Sequence, residues 1–177
     1  MYNYPFIRLI RAYISSLFSE KVTVEDKTTI SMRCSIGDID PYWEMNNGRY
    51  QQLADIGRFN HGFRTGFFKK ALKNKISFTV AGTVTKYRYR IPFGKKFTMT
   101  TKVIYVDEKW TYYYHEFIYN GRITSTILAR TGMVKNGKLV RSKEASKIFN
   151  LNIPKVELPL WVADWIKSDE SNPAFVI

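Results

Sequence analysis

The residues best suited to chemistry lie together in Gly37-Asp38-Ile39-Asp40-Pro41-Tyr42-Trp43-Glu44-Met45-Asn46-Asn47-Gly48-Arg49-Tyr50. Glycine, aspartate and proline make the first half a turn-rich loop, and asparagine at 46 and 47 is a favoured helix N-cap. The first turn of a helix carries N–H groups without intrahelical partners at the positive end of its dipole. Near Asn47, Gly48 and Arg49 such donors can polarise a carbonyl and hold an oxyanion. A carboxylate a few residues upstream can attack that carbonyl or activate water against it. Taken alone, the same residues also make an Asx-turn and an N-cap.

Other chemistries have little to work with. Cys34 is the one cysteine, which excludes an internal disulfide framework and a thiolate metal cluster. His61 and His115 are the two histidines, too few for a multi-histidine metal site, so no metal is expected. Cys34 falls with Ile30, Met32 and Ile36 in an alternating strand pattern, as a core residue does. His61, at the end of the helix that follows, reads as structural or capping. A lone cysteine fits a reducing compartment, and a cytoplasmic location is expected, with a peripheral membrane association as an added option.

The elements that must position the loop follow from periodicity. Phe6, Ile7, Ile10, Tyr13, Ile14, Leu17 and Phe18 recur at helical spacing with Arg8 and Arg11 between them. That segment is too short and too charged to span a bilayer and has no signal-peptide pattern. It predicts an amphipathic helix that packs on its own domain or a neighbouring subunit; residues 4–18 could also lie on a membrane surface. The helix from Asn46-Asn47 carries Tyr50, Leu53, Ala54, Gly57 and His61 on one face, and a short helix follows over 66–74. From Ile76 the pattern turns to four strands, 77–91, 97–106, 110–119 and 122–134, with Asn120-Gly121 as a hairpin signal. Aromatics on both faces of 110–119 predict a central, doubly covered strand. Leu158, Trp161, Val162, Trp165 and Ile166 predict a closing helix over 159–166.

With 177 residues, 45% hydrophobic and 24% charged, the chain has the size of one domain with a core of its own. Strand, helix and four antiparallel strands predict an α+β fold: five strands against one long helix. The divisions are an N-terminal amphipathic helix over 1–20, a central domain over 27–141 and a C-terminal helical extension over 142–177. The net charge of +13 is localised. Between Ile56 and Val106 stand twelve basic residues and no acidic one, while the remaining sixteen basic residues nearly balance fifteen acidic ones. Such a field attracts anions: nucleic acid, an anionic membrane or a phosphorylated small molecule. Tyrosines between the charges of 87–90 could stack bases, but no nucleic-acid motif accompanies them, and no nucleic-acid partner is expected.

Asp38-Ile39-Asp40 with Met45-Asn46-Asn47-Gly48-Arg49-Tyr50 resembles the D-x-D-x-x-x-H-x-N-x-x-Y signature of hotdog-fold thioesterases of the 4-hydroxybenzoyl-CoA type. It is closer still to the branch reading H-M-N-N-G-R-Y. The resemblance continues through Ala54-Asp55-Ile56-Gly57-Arg58 and Tyr87-Arg88-Tyr89-Arg90-Ile91-Pro92-Phe93-Gly94, covering roughly 27–141. It implies a hotdog fold, the sheet wrapped around the central helix, and hydrolysis of an acyl-CoA with no cofactor beyond the coenzyme A of the substrate. By position it makes Asp40 the nucleophile or general base and Asp38 a supporting turn residue. Asn46, Asn47 and Gly48 then form the helix start that meets the carbonyl, while Asn46 and Tyr50 order the loop and touch substrate. Glu44, counted with the substrate-binding residues, stands where the family usually has histidine. This leaves a second reading, a silent hotdog domain that binds acyl-CoA or lipid. Lys86, Arg88 and Arg90 are the expected partners of the coenzyme A phosphates. The family also implies a homodimer or a dimer of dimers.

Overall fold

The computed structural model describes residues 4–150 and 156–172. Its core is a long helix, α2 (Asn47–Arg64), laid against an antiparallel sheet. The strands are β1 (Thr28–Arg33), β2 (Ser77–Tyr87), β3 (Lys96–Val106), β4 (Thr111–Tyr119), β5 (Arg122–Lys135) and a short β6 (Lys138–Val140). They run in the order β1-β3-β4-β5-β2, and β6 pairs with the end of β5 beyond the reach of β4. β6 makes a sixth strand beside the five expected: Asn136-Gly137, both at positive φ, forms the hairpin that returns it. Helices α1 (Phe6–Leu17), α3 (Phe67–Lys73), α4 (Ser142–Phe149) and α5 (Leu160–Glu170) complete the described elements. Helix α4 lies in the helical extension expected over 142–177, but its bounds were not read there, because its eight residues are too few to show a period.

Leu53, Ala54, Ile56, Met99, Phe117 and Ile127 fill the space between α2 and the sheet. Close approach requires Gly57: a Cβ there would lie 2.4 Å from Thr101 Oγ1 and 2.8 Å from Met99 Cε. Strand β4 is central, as expected, and its alternation serves two layers. Tyr113, His115 and Phe117 face α2, while Tyr112 and Tyr114 meet Trp165 and Trp161 of α5 edge to face. Cys34, just past β1, is fully buried, and burial pushes its thiol up to about 11, so it is inert.

The N-terminal amphipathic helix packs on its own domain, one of the placements expected. Helix α1 lies on α2 through its small and polar side, Ala12 and Ser16, with Asn60 Nδ2 donating to the Ala12 carbonyl. Its apolar side faces outward: Phe6, Ile7, Ile10, Tyr13, Ile14 and Leu17 are 48–76% exposed. The reason is the anchor at its start, where Arg8 reaches Asp38 and fixes which side turns inward. No described helix is long and apolar enough to cross a membrane. β2 is a second open surface. Among the described residues it pairs only with β5, and it is exposed along nearly its whole length, including Phe78, Val80 and Val84.

Candidate active site

Residues 39–45 form a tight hairpin ahead of α2. Ile39 and Met45 bridge at its base, the Asp40 N–H donates to the Glu44 carbonyl at 3.0 Å, and the Trp43 N–H donates to the Asp40 carbonyl at 3.1 Å. Aspartate followed by proline favours this turn. The loop closes only because Trp43 adopts φ +57°, a left-handed conformation that a bulky residue holds at a cost of about 1–2 kcal/mol. Trp43 is held by its ring edge to face on Phe93 at 5.7 Å and by the Phe93 N–H donating to its carbonyl. The Met45 N–H donates to the Ile91 carbonyl, so the loop is fastened to the segment that leaves β2.

The two aspartates stand in different surroundings. Asp38 is buried, 3% exposed, and accepts from the Ser35 N–H and hydroxyl, from both terminal nitrogens of Arg8 and from Arg49. It is a structural knot between α1, the turn at 36–38 and α2, in line with a supporting role. Asp40 is half-buried; its Oδ1 accepts from the Tyr42 N–H at 2.9 Å, and its Oδ2 meets no donor among the described residues.

At the helix start, Asn46 caps α2: its Oδ1 accepts from the Gly48 N–H at 2.9 Å, and its carbonyl accepts from Arg49. Gly48 was expected among the carbonyl-polarising donors; the cap occupies its N–H instead. Among the described residues the Asn47 N–H meets no acceptor, while the Asn47 carbonyl accepts from the Tyr87 hydroxyl at 3.0 Å. Tyr50 is 2% exposed, its ring packed against Tyr87 and Phe117, and burial pushes its hydroxyl up to about 12. It therefore orders the helix from inside the chain. Glu44 is partly exposed and lies 3.8 Å from Arg90, its nearest cation. Lys86, Arg88 and Arg90 are all exposed, and Arg88 lies over the Tyr89 ring. Among the described residues no group of acids, histidines and cysteine could hold a metal ion.

A buried polar cluster beneath α2 escaped the sequence reading. Arg58 Nη1 lies 3.2 Å from His115 Nε2, and Thr101 Oγ1 lies 2.9 Å from His115 Nδ1. A guanidinium only donates, so Nε2 accepts and Nδ1 carries the proton toward Thr101. Desolvation and the nearby Arg58 charge hold His115 well below the usual histidine range, hence neutral. Asp55, paired with Arg58, is pushed up by burial. The only signal in the sequence was the position of Asp55 and Arg58, one turn apart on the helix.

A model of the thioesterase-like superfamily matches residues 34–166. The protein THEM6 of Danio rerio is 32% identical over 105 residues, 58% of this chain and 52% of its own. That of Drosophila melanogaster is 32% identical over 118 residues, 66% and 61%. The chain thus spans about half to two thirds of the length of the curated relatives it matches. Among solved structures, the DHNA-CoA thioesterase of Staphylococcus aureus superposes with a TM-score of 0.62 at 17% identity, over 85% of this chain and 96% of that one. The 4-hydroxybenzoyl CoA thioesterase complexed with 4-hydroxybenzoyl CoA gives 0.61 at 12%, over 70% and 98%. The sheet and helix are those of the hotdog fold.

Proposed function

Because the chain belongs to the thioesterase-like superfamily, we propose that it hydrolyses an acyl-CoA thioester to a free acid and coenzyme A, with Asp40 as nucleophile or general base. The observation that carries the reading is an Asp40 carboxylate with an unused oxygen in the hairpin that leads directly into α2, at whose start the Asn47 N–H is open. The N–H and the helix dipole would favour negative charge on the thioester oxygen. As nucleophile, Asp40 would displace the thiolate and form an acyl anhydride that water then opens; as base, it would take a proton from the attacking water. Glu44 and Arg90 would meet the substrate at the outer side of the loop, and Lys86 and Arg88 its phosphates.

Thiol release from a panel of acyl-CoAs tests this. Asp40→Asn should lower kcat at least 10³-fold while the protein stays folded, and activity that survives the change refutes the assignment. The silent-domain reading is motivated by Glu44, whose nearest charge is Arg90 rather than a proton-transfer partner. Tight acyl-CoA binding without turnover, with turnover gained in Glu44→His, would favour it.

Assembly belongs to the same reading. β2 offers 11 residues with a free edge and exposed apolar side chains, which a soluble protein covers. A second copy pairing there would bring two sites together as a homodimer, and such dimers could pair again. The outward apolar side of α1, with Arg11 beside it, suits the surface of an anionic membrane from the cytoplasmic side.

A further inference from the structure

A cleft of about 1110 Å³, slightly larger than the usual small-ligand cleft, separates α1 from β1. Its lining is amphipathic. Ile7, Ile30 and Met32 provide apolar surface along it, and six cations border it, against Asp38 as the one acidic side chain. Asp38 is already satisfied by Arg8 and Arg49, so the remaining cations face the cleft uncompensated. Two of these, Arg33 and Lys96, are direct cross-strand partners in the β1–β3 register. Like charges opposite each other in a sheet repel. Both are exposed, and no carboxylate pairs with either among the described residues. Arg33 spends one nitrogen on the Gly94 carbonyl and keeps its other donors.

We propose that this cleft binds one long-chain anionic amphiphile, with its carboxylate or phosphate head between Arg33 and Lys96 and its chain along Ile7, Ile30 and Met32. An anion between the two cations removes their repulsion and gains charge-assisted hydrogen bonds. The chain covers apolar surface that the outward turn of α1 leaves open to water. The site does not depend on Asp40: it uses the β1 edge of the sheet and the side of α1 nearest it.

Calorimetric titration of the full chain with laurate and dodecyl phosphate, both below their micelle concentrations, tests the proposal. Each should bind one to one, and inorganic phosphate and dodecanol at least tenfold more weakly. Lys96→Glu should weaken laurate about tenfold or more, and Ile7→Ser should weaken it severalfold; both residues are exposed, so the fold remains intact by circular dichroism. Lys138→Glu, on β6, and Asp40→Asn should bind laurate as the wild type does. Equal laurate affinity in Lys96→Glu and wild type overturns the head site. Phosphate binding as tight as dodecyl phosphate overturns the amphiphile. Loss of binding in Asp40→Asn shows that laurate occupies the catalytic loop instead and overturns the cleft.

Discussion

Replacing Asp38 with alanine should cost about 3 kcal/mol of stability, and the structure shows where that figure comes from. The carboxylate is 3% exposed and accepts from five donor groups on three segments: Arg8 through Nη1 and Nη2, Arg49, and the Ser35 amide and hydroxyl. Summing bonds to a charged group at about 1.5–3 kcal/mol each would overshoot, because they share one desolvation cost. Removing one member of a buried ion pair is the better reference, at about 3–5 kcal/mol. Arg8 and Arg49 remain 19% and 10% exposed and recover part of their hydration, which places the result near the lower end. For a chain of this size, about 3 kcal/mol lowers the melting temperature by roughly 6–12 °C. Urea denaturation followed by circular dichroism measures it. The midpoint should fall with the slope unchanged, and Asp38→Asn, which keeps an acceptor and loses the charge, should lie between alanine and wild type. A loss below 1 kcal/mol in Asp38→Ala would show that the three segments hold together without this knot.

Four further outcomes are expected. Gly57→Ala should destabilise by about 1–3 kcal/mol in the same assay, because its Cβ would strike Thr101 Oγ1 and Met99 Cε. Asn46→Ala should cost about 1 kcal/mol through the lost cap and leave the Gly48 N–H open; acyl-CoA kinetics on the variant would show whether a second open donor changes kcat. Stability should fall as pH drops below about 6.5, since His61 and His115 are held below their ordinary value when folded and the unfolded chain takes up the protons; urea midpoints at pH 7.5 and 5 read the difference. Ile10→Glu with Ile14→Glu should abolish sedimentation with anionic vesicles, and unchanged sedimentation would remove the membrane role of α1.

Most of the fold was legible because its elements have clean periods. Strands 97–106 and 110–119 fall within a residue of β3 and β4, and Asn46 marks the start of α2 to the residue. Periodicity names an apolar stripe but not what lies against it. That is why α1 could be placed along the chain while its inward side could not be named: the choice of face is made by Arg8 and Asp38, 30 residues apart. The site shows the same division. The resemblance separates the two aspartates by position, but a linear reading cannot bring near Asp38 the arginines that bind it. The His115 cluster was hidden for a like reason, since Arg58 and Thr101 reach it from other elements.

The two-layer alternation of β4 has a consequence for how errors in strand pairing are suppressed. A slip by one residue exchanges every side chain between the faces of a strand. Here that would push a neutral histidine, stripped of Thr101 and Arg58, against the indoles of α5, and drive a tyrosine into the gap above Gly57, where not even a methyl group fits. A strand covered on one side would be corrected by that side alone. This one is proofread from both, so its neighbours β3 and β5 inherit an alignment that their own threonine-rich sequences specify less sharply.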